Sequence, residues 1–310
     1  MGNPEKEREE GVGVRRGREG SSVRVFARSL RGGLALVLMF VNVVVWTIPV
    51  LLLHGVKLLI PARSWRGFWS RVQNGAGSVW ISLNSLNLRL TNPVRWDVEG
   101  LESLSTGDWY LVLANHQSWV DILVLQKILN RRAPFLKFLL KKELFWVPFL
   151  GLAWWALDYP FLERSSNPAR DRTMILRAAD KFRVAPVTVM NFVEGTRFTP
   201  EKHEKQNSPW THLLKPRAGG LTFLLTAMGS SFRSILDVTI AYPDGAPTLW
   251  RFMCGETREI RVRVRTIPVT GDLLGDFAGD KAFRRHFVSW LNEVWSDKDR
   301  ELARLLGSAS

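Results

Sequence analysis

The hydrophobic pattern divides the chain into an apolar N-terminal part and a longer part that alternates between apolar and polar residues. Residues 34–53 read LALVLMFVNVVVWTIPVLLL, a run without a formal charge that is long enough to cross a bilayer as a helix. Pro49 predicts a kink within this run, and Arg and Lys on both sides give no clear orientation. Residues 31–60 are therefore predicted to be a membrane anchor that either spans the bilayer or re-enters one leaflet.

The segments on either side of the anchor have different patterns. Residues 1–30 mix acidic and basic residues with Gly and Ser and show no periodic apolar face, which predicts a flexible charged tail. Residues 61–94 place apolar residues at helical spacing with polar ones between them. This spacing is typical of an amphipathic helix that lies on the membrane or on the neighbouring domain. Asn92-Pro93 is expected to end that helix.

Residues 95–270 alternate between strand-like and helical patterns. This alternation predicts an α/β domain with a largely parallel central sheet flanked by helices, with room for antiparallel members. The strict alternation of residues 259–265 predicts a half-exposed strand, and residues 271–310 have the pattern of a C-terminal helical region. The predicted strands are 109–114, 156–162, 187–193, 236–242 and 259–265, and the predicted helices are 119–130, 168–183 and 219–229.

Composition narrows the range of partners. The 310-residue chain has a formal net charge of +14 and an isoelectric point near 10.5, so nucleic acid, anionic lipid headgroups and phosphate-bearing carriers all qualify. A single cysteine, Cys254, excludes a disulfide within the chain. The 14 tryptophans fit either a membrane interface or interior packing. The histidines and the cysteine show no metal-ligand spacing, so neither a metal nor another cofactor is expected.

The first cluster of polar residues, Asn115–Asp121 (NHQSWVD), directly follows an apolar strand. Five residues separate His116 from Asp121, which on one straight helix would leave the side chains about 140° apart. Ser118 is a good N-cap with Asp121 at the third helical position, a variant of the capping box. His116 then precedes the helix and can fold back toward Asp121. A carboxylate that holds one imidazole nitrogen leaves the other as a base near neutral pH.

Two alternatives use the same residues. In the first, Ser118 and Asp121 only cap the helix and His116 is an ordinary loop residue. In the second, Ser118 is a nucleophile served by His116, which its capping role and the lack of a Gly-x-Ser-x-Gly elbow disfavour.

The second cluster, Phe192–Arg197 (FVEGTR), follows the predicted strand 187–193. Ligands collect at the carboxyl ends of parallel strands, so both clusters are expected to face one cleft. Gly195 permits close approach of a ligand to the backbone, and Arg197 can bind a phosphate through two hydrogen bonds. Farther on, residues 214–220 (LKPRAGG) place cations and glycines before a helix, an arrangement that suits an anion.

These motifs resemble those of a known family. His116-x-x-x-x-Asp121, the tetrapeptide at 194–197 and the intervening Phe161-Leu162-Glu163-Arg164 are similar to the glycerolipid acyltransferases of the lysophosphatidic acid acyltransferase (PlsC-like) family, over roughly residues 95–245. The spellings NHQSWVD, NFVEGTRFTP, LLKPRAGG and DVTIAYP are most similar to the subgroup that contains bacterial inner-membrane YihG-type enzymes and eukaryotic lysocardiolipin-like enzymes.

The resemblance implies a role for each motif residue. His116 would be the general base and Asp121 its orienting partner. Arg164 and the segment Glu194, Gly195, Thr196 and Arg197 would bind the glycerol phosphate of the acceptor, and we add Lys215 as a further candidate for the phosphate. Two departures are visible, since Val193 stands where many relatives have Pro, and Glu163 replaces the more usual small acidic residue before the arginine.

The resulting functional hypothesis is acyl transfer from acyl-CoA or acyl carrier protein to the hydroxyl of a lysophospholipid, lysophosphatidic acid above all. We expect an anionic membrane surface as partner, at the bacterial inner membrane with the cleft facing the cytoplasm. A membrane-tethered lipid hydrolase or thioesterase is one alternative. A basic membrane-attached nucleic-acid-binding protein is another, disfavoured because the basic residues form no single stripe with stacking aromatics. Residues 144–162, rich in aromatics, could form a second span, but we expect them to dip toward lipid or line an acyl-chain cavity.

Overall fold

The structure is a computed structural model that describes residues 4–162 and 168–307, and the side chains of residues 23–162 and 173–307. The helices are α1 (Pro4–Leu58), α2 (Arg63–Thr91), α3 (Val120–Leu129), α4 (Leu150–Ala156), α5 (Pro168–Phe182), α6 (Pro200–Gln206), α7 (Ala218–Met228), α8 (Leu249–Met253) and α9 (Lys281–Leu306). The strands are β1 (Arg95–Glu99), β2 (Tyr110–Ala114), β3 (Leu136–Phe138), β4 (Leu140–Lys141), β5 (Phe161–Leu162), β6 (Thr188–Asn191), β7 (Ser234–Ala241) and β8 (Glu259–Pro268). Short 3₁₀ helices span Lys142–Trp146 and Gly271–Leu273.

The central sheet has six strands in the order β1-β8-β7-β2-β6-β3. All neighbouring strands in it are parallel except β7 and β8, which run antiparallel. The predicted α/β fold with a largely parallel sheet flanked by helices is thus confirmed. In the register of the sheet, Leu113 of β2 pairs with Asn191 on one side and Asp237 on the other. The carboxyl ends of β2 and β6, where the two motifs begin, therefore lie side by side.

Side chains of β2 alternate between two buried layers. Val112 and Ala114 belong to the core that also contains residues of α1, α2 and α3, whereas Leu111 and Leu113 belong to the core formed with α5, α7 and α9. All five residues of β2 are buried, as a central strand covered by helices on both faces must be. This sandwiching fixes the end of β2, and with it the start of the first motif.

Three parts of the chain differ from the sequence-based expectation. The predicted strand 156–162 is wrong over most of its length, because α4 ends at Ala156 and only Phe161–Leu162 pair, with β4. Asp158 adopts a left-handed backbone conformation (φ 58°) that interrupts any strand there. Strands β1 and β3 were not predicted, since one is half-exposed and the other has three residues. Residues 1–30, expected as a flexible tail, are helical from Pro4 onward.

The part of the N-terminal helix α1 from Val23 to Leu58 is long enough and apolar enough to cross a membrane. Only 11% of its most apolar window is buried inside the protein. The helix continues through Pro49 and packs along α2, α4 and α8. Its outer face exposes a row of large apolar side chains, including Val37, Val41 and Ile48.

Candidate active site

The imidazole of His116 and the carboxylate of Asp121 form a hydrogen-bonded pair, with His116 Nδ1 at 2.9 Å from Asp121 Oδ2. The same oxygen accepts the backbone N–H groups of Gln117 at 2.7 Å and Ser118 at 2.9 Å. Asp121 Oδ1 accepts the hydroxyl of Tyr242 at 2.6 Å. With two donors already fixed on Oδ2, the carboxylate is an acceptor for His116, which assigns the proton to Nδ1 and leaves Nε2 with its lone pair. Asp121 is fully buried, whereas the His116 side chain keeps 13% of its surface exposed.

The loop before α3 makes this pairing possible. The N–H of Ser118 donates to the Asp121 carboxylate, which is one of the two contacts of the expected capping box. Ser118 Oγ accepts the N–H of Val120 at 3.0 Å rather than that of Asp121. The helix itself starts one residue later than predicted, with Trp119 at the N-cap position. His116 therefore lies outside the helix, as expected, and can fold back onto its first turn.

The hydroxyl of Ser118 is committed to the backbone. It donates to the carbonyl of Pro247 at 2.5 Å, and the residue is only 3% exposed. No hydrogen bond joins Ser118 Oγ to His116 in the part of the chain that the structure describes. This geometry argues against Ser118 as a nucleophile.

The neighbouring strand β7 supports the pair from behind. The side chain of Asn115 both donates to the carbonyl of Ile240 and accepts its N–H, each at 2.9 Å, which ties the end of β2 to β7. Two residues farther on, Tyr242 reaches Asp121. Tyr242 is 1% exposed, and burial raises the pKa of its hydroxyl well above the usual value, so it stays a donor. Sequence reasoning missed Asn115 and Tyr242, although both stand at the carboxyl ends of adjacent strands.

The second motif meets the first at His116 itself. The ring of Phe192 stacks on the imidazole with centroids 3.8 Å apart and planes inclined by 15°. Glu194 Oε1 accepts the N–H of His116 at 3.1 Å, and the N–H of Phe198 donates to the carbonyl of His116 at 2.7 Å. The two loops expected to share a cleft are thus joined through the ring and both backbone groups of one residue.

Glu194 has a different position from the one expected of a substrate-binding residue. It is fully buried, and its second oxygen accepts the N–H of Leu214 at 3.2 Å. Both carboxylate oxygens are therefore occupied by backbone donors from two other loops, those of His116 and Leu214. In this position Glu194 joins three loops of the site.

The buried carboxyl of Glu194 predicts a pH dependence of stability. Burial raises the pKa of Glu194 to about 8, against the pull of the two backbone N–H groups, from an ordinary value of 4.5. Between these values the folded state binds more protons than the unfolded state, so the free energy of unfolding should fall as pH rises. We expect Glu194→Gln to reduce that slope, by up to about 1.4 kcal/mol per pH unit. Unfolding midpoints measured from pH 5 to 8 test this, and parallel profiles for the two proteins would contradict it.

Arg197 is exposed and directly precedes Phe198, whose N–H donates to the carbonyl of His116. The carbon of its guanidinium is 4.8 Å from the centroid of the Trp119 ring. Its carbonyl accepts a hydrogen bond from Lys202 Nζ at 3.0 Å, and the same ammonium group donates to Thr196 Oγ1 at 2.9 Å. Lys202 thus links the side chain of Thr196 to the backbone of Arg197 within one loop.

Gly195 adopts a left-handed conformation with φ 72°, where a side chain would be strained. A β-carbon on it would lie 3.4 Å from Cδ of Arg217, so the arginine side chain passes directly over this turn. The N–H of Arg217 donates to the carbonyl of Val193 at 2.7 Å. Arg217 is therefore a cation that the sequence-based choice missed, although the quoted run 214–220 contains it.

The structure describes the position of Lys215 but not that of Arg164. Lys215 is exposed, and its backbone N–H donates to Gln206 Oε1 at 3.0 Å. Arg164 lies outside the described residues, together with Glu163. Of the predicted cations that the structure describes, Arg197 belongs to the loop that is joined to His116 through the N–H of Phe198.

Comparison with known proteins adds an independent line of support. A family model described as Acyltransferase matches residues 95–242. The 1-acyl-sn-glycerol-3-phosphate acyltransferase 3 of Arabidopsis thaliana is 31% identical over 229 residues, which cover 67% of this chain and 56% of the relative. The 1-acyl-sn-glycerol-3-phosphate acyltransferase gamma of Mus musculus is 28% identical over 202 residues, covering 61% and 51%. The chain thus spans about half the length of the curated relatives it matches.

Among solved structures, the 1-acyl-sn-glycerophosphate (LPA) acyltransferase PlsC of Thermotoga maritima is similar with a TM-score of 0.48 and 17% sequence identity, covering 87% of this chain and 98% of that one. The matched residues 95–242 begin at β1 and end at Tyr242. They include both motifs and the hydrogen-bond partners of the His116–Asp121 pair among the described residues. Residues 95–242 are thus similar to the acyltransferase family over the part of the chain that carries both motifs.

Proposed function

We propose that the protein transfers a fatty acyl group from a thioester, acyl-CoA or acyl carrier protein, to the free hydroxyl of a lysophospholipid, converting lysophosphatidic acid to phosphatidic acid. The observation that carries this proposal is the pair of His116 and Asp121, in which Nδ1 is bound by the carboxylate and Nε2 is left as a base. The similarity to relatives named 1-acyl-sn-glycerol-3-phosphate acyltransferase supports the same acceptor.

The proposed reaction is a direct transfer in which His116 handles one proton. His116 Nε2 takes the proton of the acceptor hydroxyl as that oxygen attacks the thioester carbonyl. The tetrahedral intermediate then expels the thiolate, which recovers the proton from the imidazolium. Asp121, which is buried and bonded to Nδ1, stabilises the imidazolium and holds the tautomer that starts the cycle. General-base assistance of this kind contributes about 10²–10⁴-fold to a rate.

Arg197 is proposed to bind the phosphate of the acceptor. Its guanidinium presents planar donors that match a phosphate oxygen pair. No carboxylate of the described residues forms an ion pair with it, so its charge is available to a ligand. Anchoring the headgroup would place the hydroxyl near His116 and turn a bimolecular encounter into a positioned one.

The proposed membrane attachment uses α1, and its contacts indicate how. Near its start, Gly32 lies against Cys254, and Asn42 donates to Asn84 at 2.8 Å. Near its end, His54 forms a hydrogen bond of 2.8 Å with the carbonyl of Ala156, and Lys57 pairs with Asp158. These contacts extend over 25 residues, or about 38 Å of helix. A helix held along the domain for that length favours an anchor lying within one leaflet, with its exposed apolar face in lipid.

The aromatic stretch 144–162 is proposed to share this surface. Phe40 of α1 and Phe149 are in edge-to-face contact with ring centroids 6.1 Å apart. Trp146, Phe149 and Trp155 are exposed, Trp146 by 79%. Tryptophan prefers the membrane interface, and these side chains continue the apolar face of α1.

The proposed location of the protein is a bacterial inner membrane, with the active site facing the cytoplasm. The proposed subgroup is that of the YihG-type and lysocardiolipin-like enzymes, whose motif spelling is similar.

Incubation of the purified protein with labelled acyl-CoA and a panel of lysophospholipids tests the proposed reaction. The expected product is labelled phosphatidic acid that depends on added lysophosphatidic acid. Release of free fatty acid without an acceptor requirement would instead identify a hydrolase or thioesterase. Parallel reactions with acyl carrier protein identify the donor.

Replacement of Arg197 by alanine should weaken acceptor binding. We expect KM for lysophosphatidic acid to rise about 10- to 100-fold, because a charge-assisted hydrogen-bonded contact to phosphate contributes about 1.5–3 kcal/mol. The turnover number kcat should change much less. Lys215→Ala is the matched control, since it removes a nearby exposed cation. Equal KM values for the wild type and Arg197→Ala would remove Arg197 from this role.

A further inference from the structure

We propose that Trp119 is a positioning residue that holds the guanidinium of Arg197 in the orientation needed to bind the acceptor's phosphate. The proposal rests on the function proposed above. It adds Trp119, a residue of the first motif to which the resemblance assigned no role. Its basis is a single juxtaposition, the Arg197 guanidinium over the Trp119 ring at 4.8 Å. That distance lies within the range of about 6 Å over which a cation interacts with an aromatic face.

The position of Trp119 is fixed by the catalytic motif. Trp119 stands three residues after His116 and takes the N-cap position of α3 with helical backbone angles (φ −60°, ψ −24°). The residues on either side of it are buried, and the loop before it is held by Asp121. The indole is nevertheless 46% exposed. The ring of Trp119 is therefore an aromatic platform at the surface, and the first motif holds the backbone that carries it.

Arg197 needs such a platform because only its backbone is held otherwise. Lys202 binds the Arg197 carbonyl, and the next residue, Phe198, donates to the carbonyl of His116. Within the described residues, no hydrogen bond or carboxylate ion pair holds the guanidinium itself. A free arginine side chain samples many rotamers, and ordering it on binding opposes affinity.

A contact with an aromatic ring occupies none of the hydrogen-bond donors of the guanidinium. A guanidinium that rests on an aromatic ring uses its face, whereas its N–H groups point outward in the plane of the group. The edge can therefore form two hydrogen bonds to a phosphate while the face stays on Trp119. A carboxylate partner would hold the arginine equally well but would occupy those donors. The aromatic platform thus provides order without competing for the ligand.

A double-mutant cycle in the full-length protein tests this proposal, with steady-state acylation of lysophosphatidic acid as the readout. The variants are Trp119→Leu, Trp119→Phe, Arg197→Ala and the combination of Trp119→Leu with Arg197→Ala. Leucine keeps apolar bulk but removes the π-face, whereas phenylalanine keeps a smaller face. Trp250→Ala is the matched control, because Trp250 is 47% exposed and its ring has no recorded contact with an arginine among the described residues. Thermal unfolding of each variant verifies that it is folded.

We expect Trp119→Leu to raise KM about 3- to 10-fold with little change in kcat, and Trp119→Phe to restore most of the loss. In the Arg197→Ala background, Trp119→Leu should have no further effect, since its effect passes through Arg197. The proposal is overturned if KM does not respond to Trp119→Leu, if phenylalanine does not rescue, or if the increase persists without Arg197. Failure of the wild type to acylate lysophosphatidic acid would instead overturn the proposed function, and this inference with it.

Discussion

Replacement of His116 by alanine is expected to abolish acyl transfer, lowering kcat by at least about 10²–10⁴-fold while the protein stays folded. The imidazole is held through Nδ1, 2.9 Å from a buried carboxylate, and its Nε2 is left to take the proton of the acceptor hydroxyl. Without it, the attacking hydroxyl must lose its proton to water. Initial rates of labelled phosphatidic acid formation, with thermal unfolding of the same preparation, measure both parts of the expectation.

The chain offers a matched control for this experiment. His286 Nε2 lies 3.1 Å from Asp272 Oδ2, a second histidine–aspartate pair, but here both side chains are about half exposed. Its carboxylate is solvated, and no hydrogen bond links that pair to either motif among the described residues. His286→Ala should therefore leave the rate unchanged. Wild-type turnover in the His116 variant, or an equal loss in the His286 variant, would end the assignment of the base.

The second large effect is expected for Asp121→Asn, with kcat lowered about 10²–10⁴-fold. Asp121 receives three donors on Oδ2 and the Tyr242 hydroxyl on Oδ1. An asparagine keeps the volume but has one acceptor oxygen and no charge. It can still accept from the backbone N–H groups, but the imidazolium formed in the reaction loses its counter-ion. Because KM reports acceptor and donor binding, it should change much less than kcat.

Tyr242→Phe separates the charge of Asp121 from its anchoring. This variant removes one hydrogen bond to the carboxylate and leaves the charge and the bond to His116 intact. We expect a loss in kcat of roughly tenfold or less, in line with a single hydrogen bond of about 0.5–1.5 kcal/mol. If Tyr242→Phe and Asp121→Asn lowered kcat equally, the carboxylate would act through geometry alone, and its electrostatic role would be rejected.

The sequence was sufficient for the local part of the site. The fold of the loop around His116 follows in part from the contacts of Ser118 and Asp121 with each other, with Val120 and with His116, which lie within five residues. Such short-range contacts can be read from spacing because the helix geometry is known. The same reasoning failed by one residue at the start of α3, where the N-cap position falls on Trp119.

Roles that depend on distant residues could not be read from spacing. Glu194 carries a carboxyl group, which is a common ligand-binding group. In the structure this group is buried, and its two oxygens accept the backbone N–H groups of His116 and Leu214. Arg217 and Lys215 are two residues apart, and only the path of the chain into α7 decides that Arg217 lies over Gly195. The predicted strand 156–162 failed similarly, because α4 continues to Ala156, Asp158 takes a left-handed conformation, and only Phe161–Leu162 form a strand.

The sequence by itself determined the elements whose patterns are local and strong: the apolar N-terminal helix, the alternation of buried strands and helices, and the pairing of His116 with Asp121. Only the tertiary structure decided which groups surround that pair, namely Tyr242 behind the carboxylate, Phe192 on the imidazole and Trp119 beneath Arg197. The physical reason is that hydrogen-bond periodicity and capping act within a few residues, whereas the register of β2 between β6 and β7 sets these contacts across up to 121 positions of the chain.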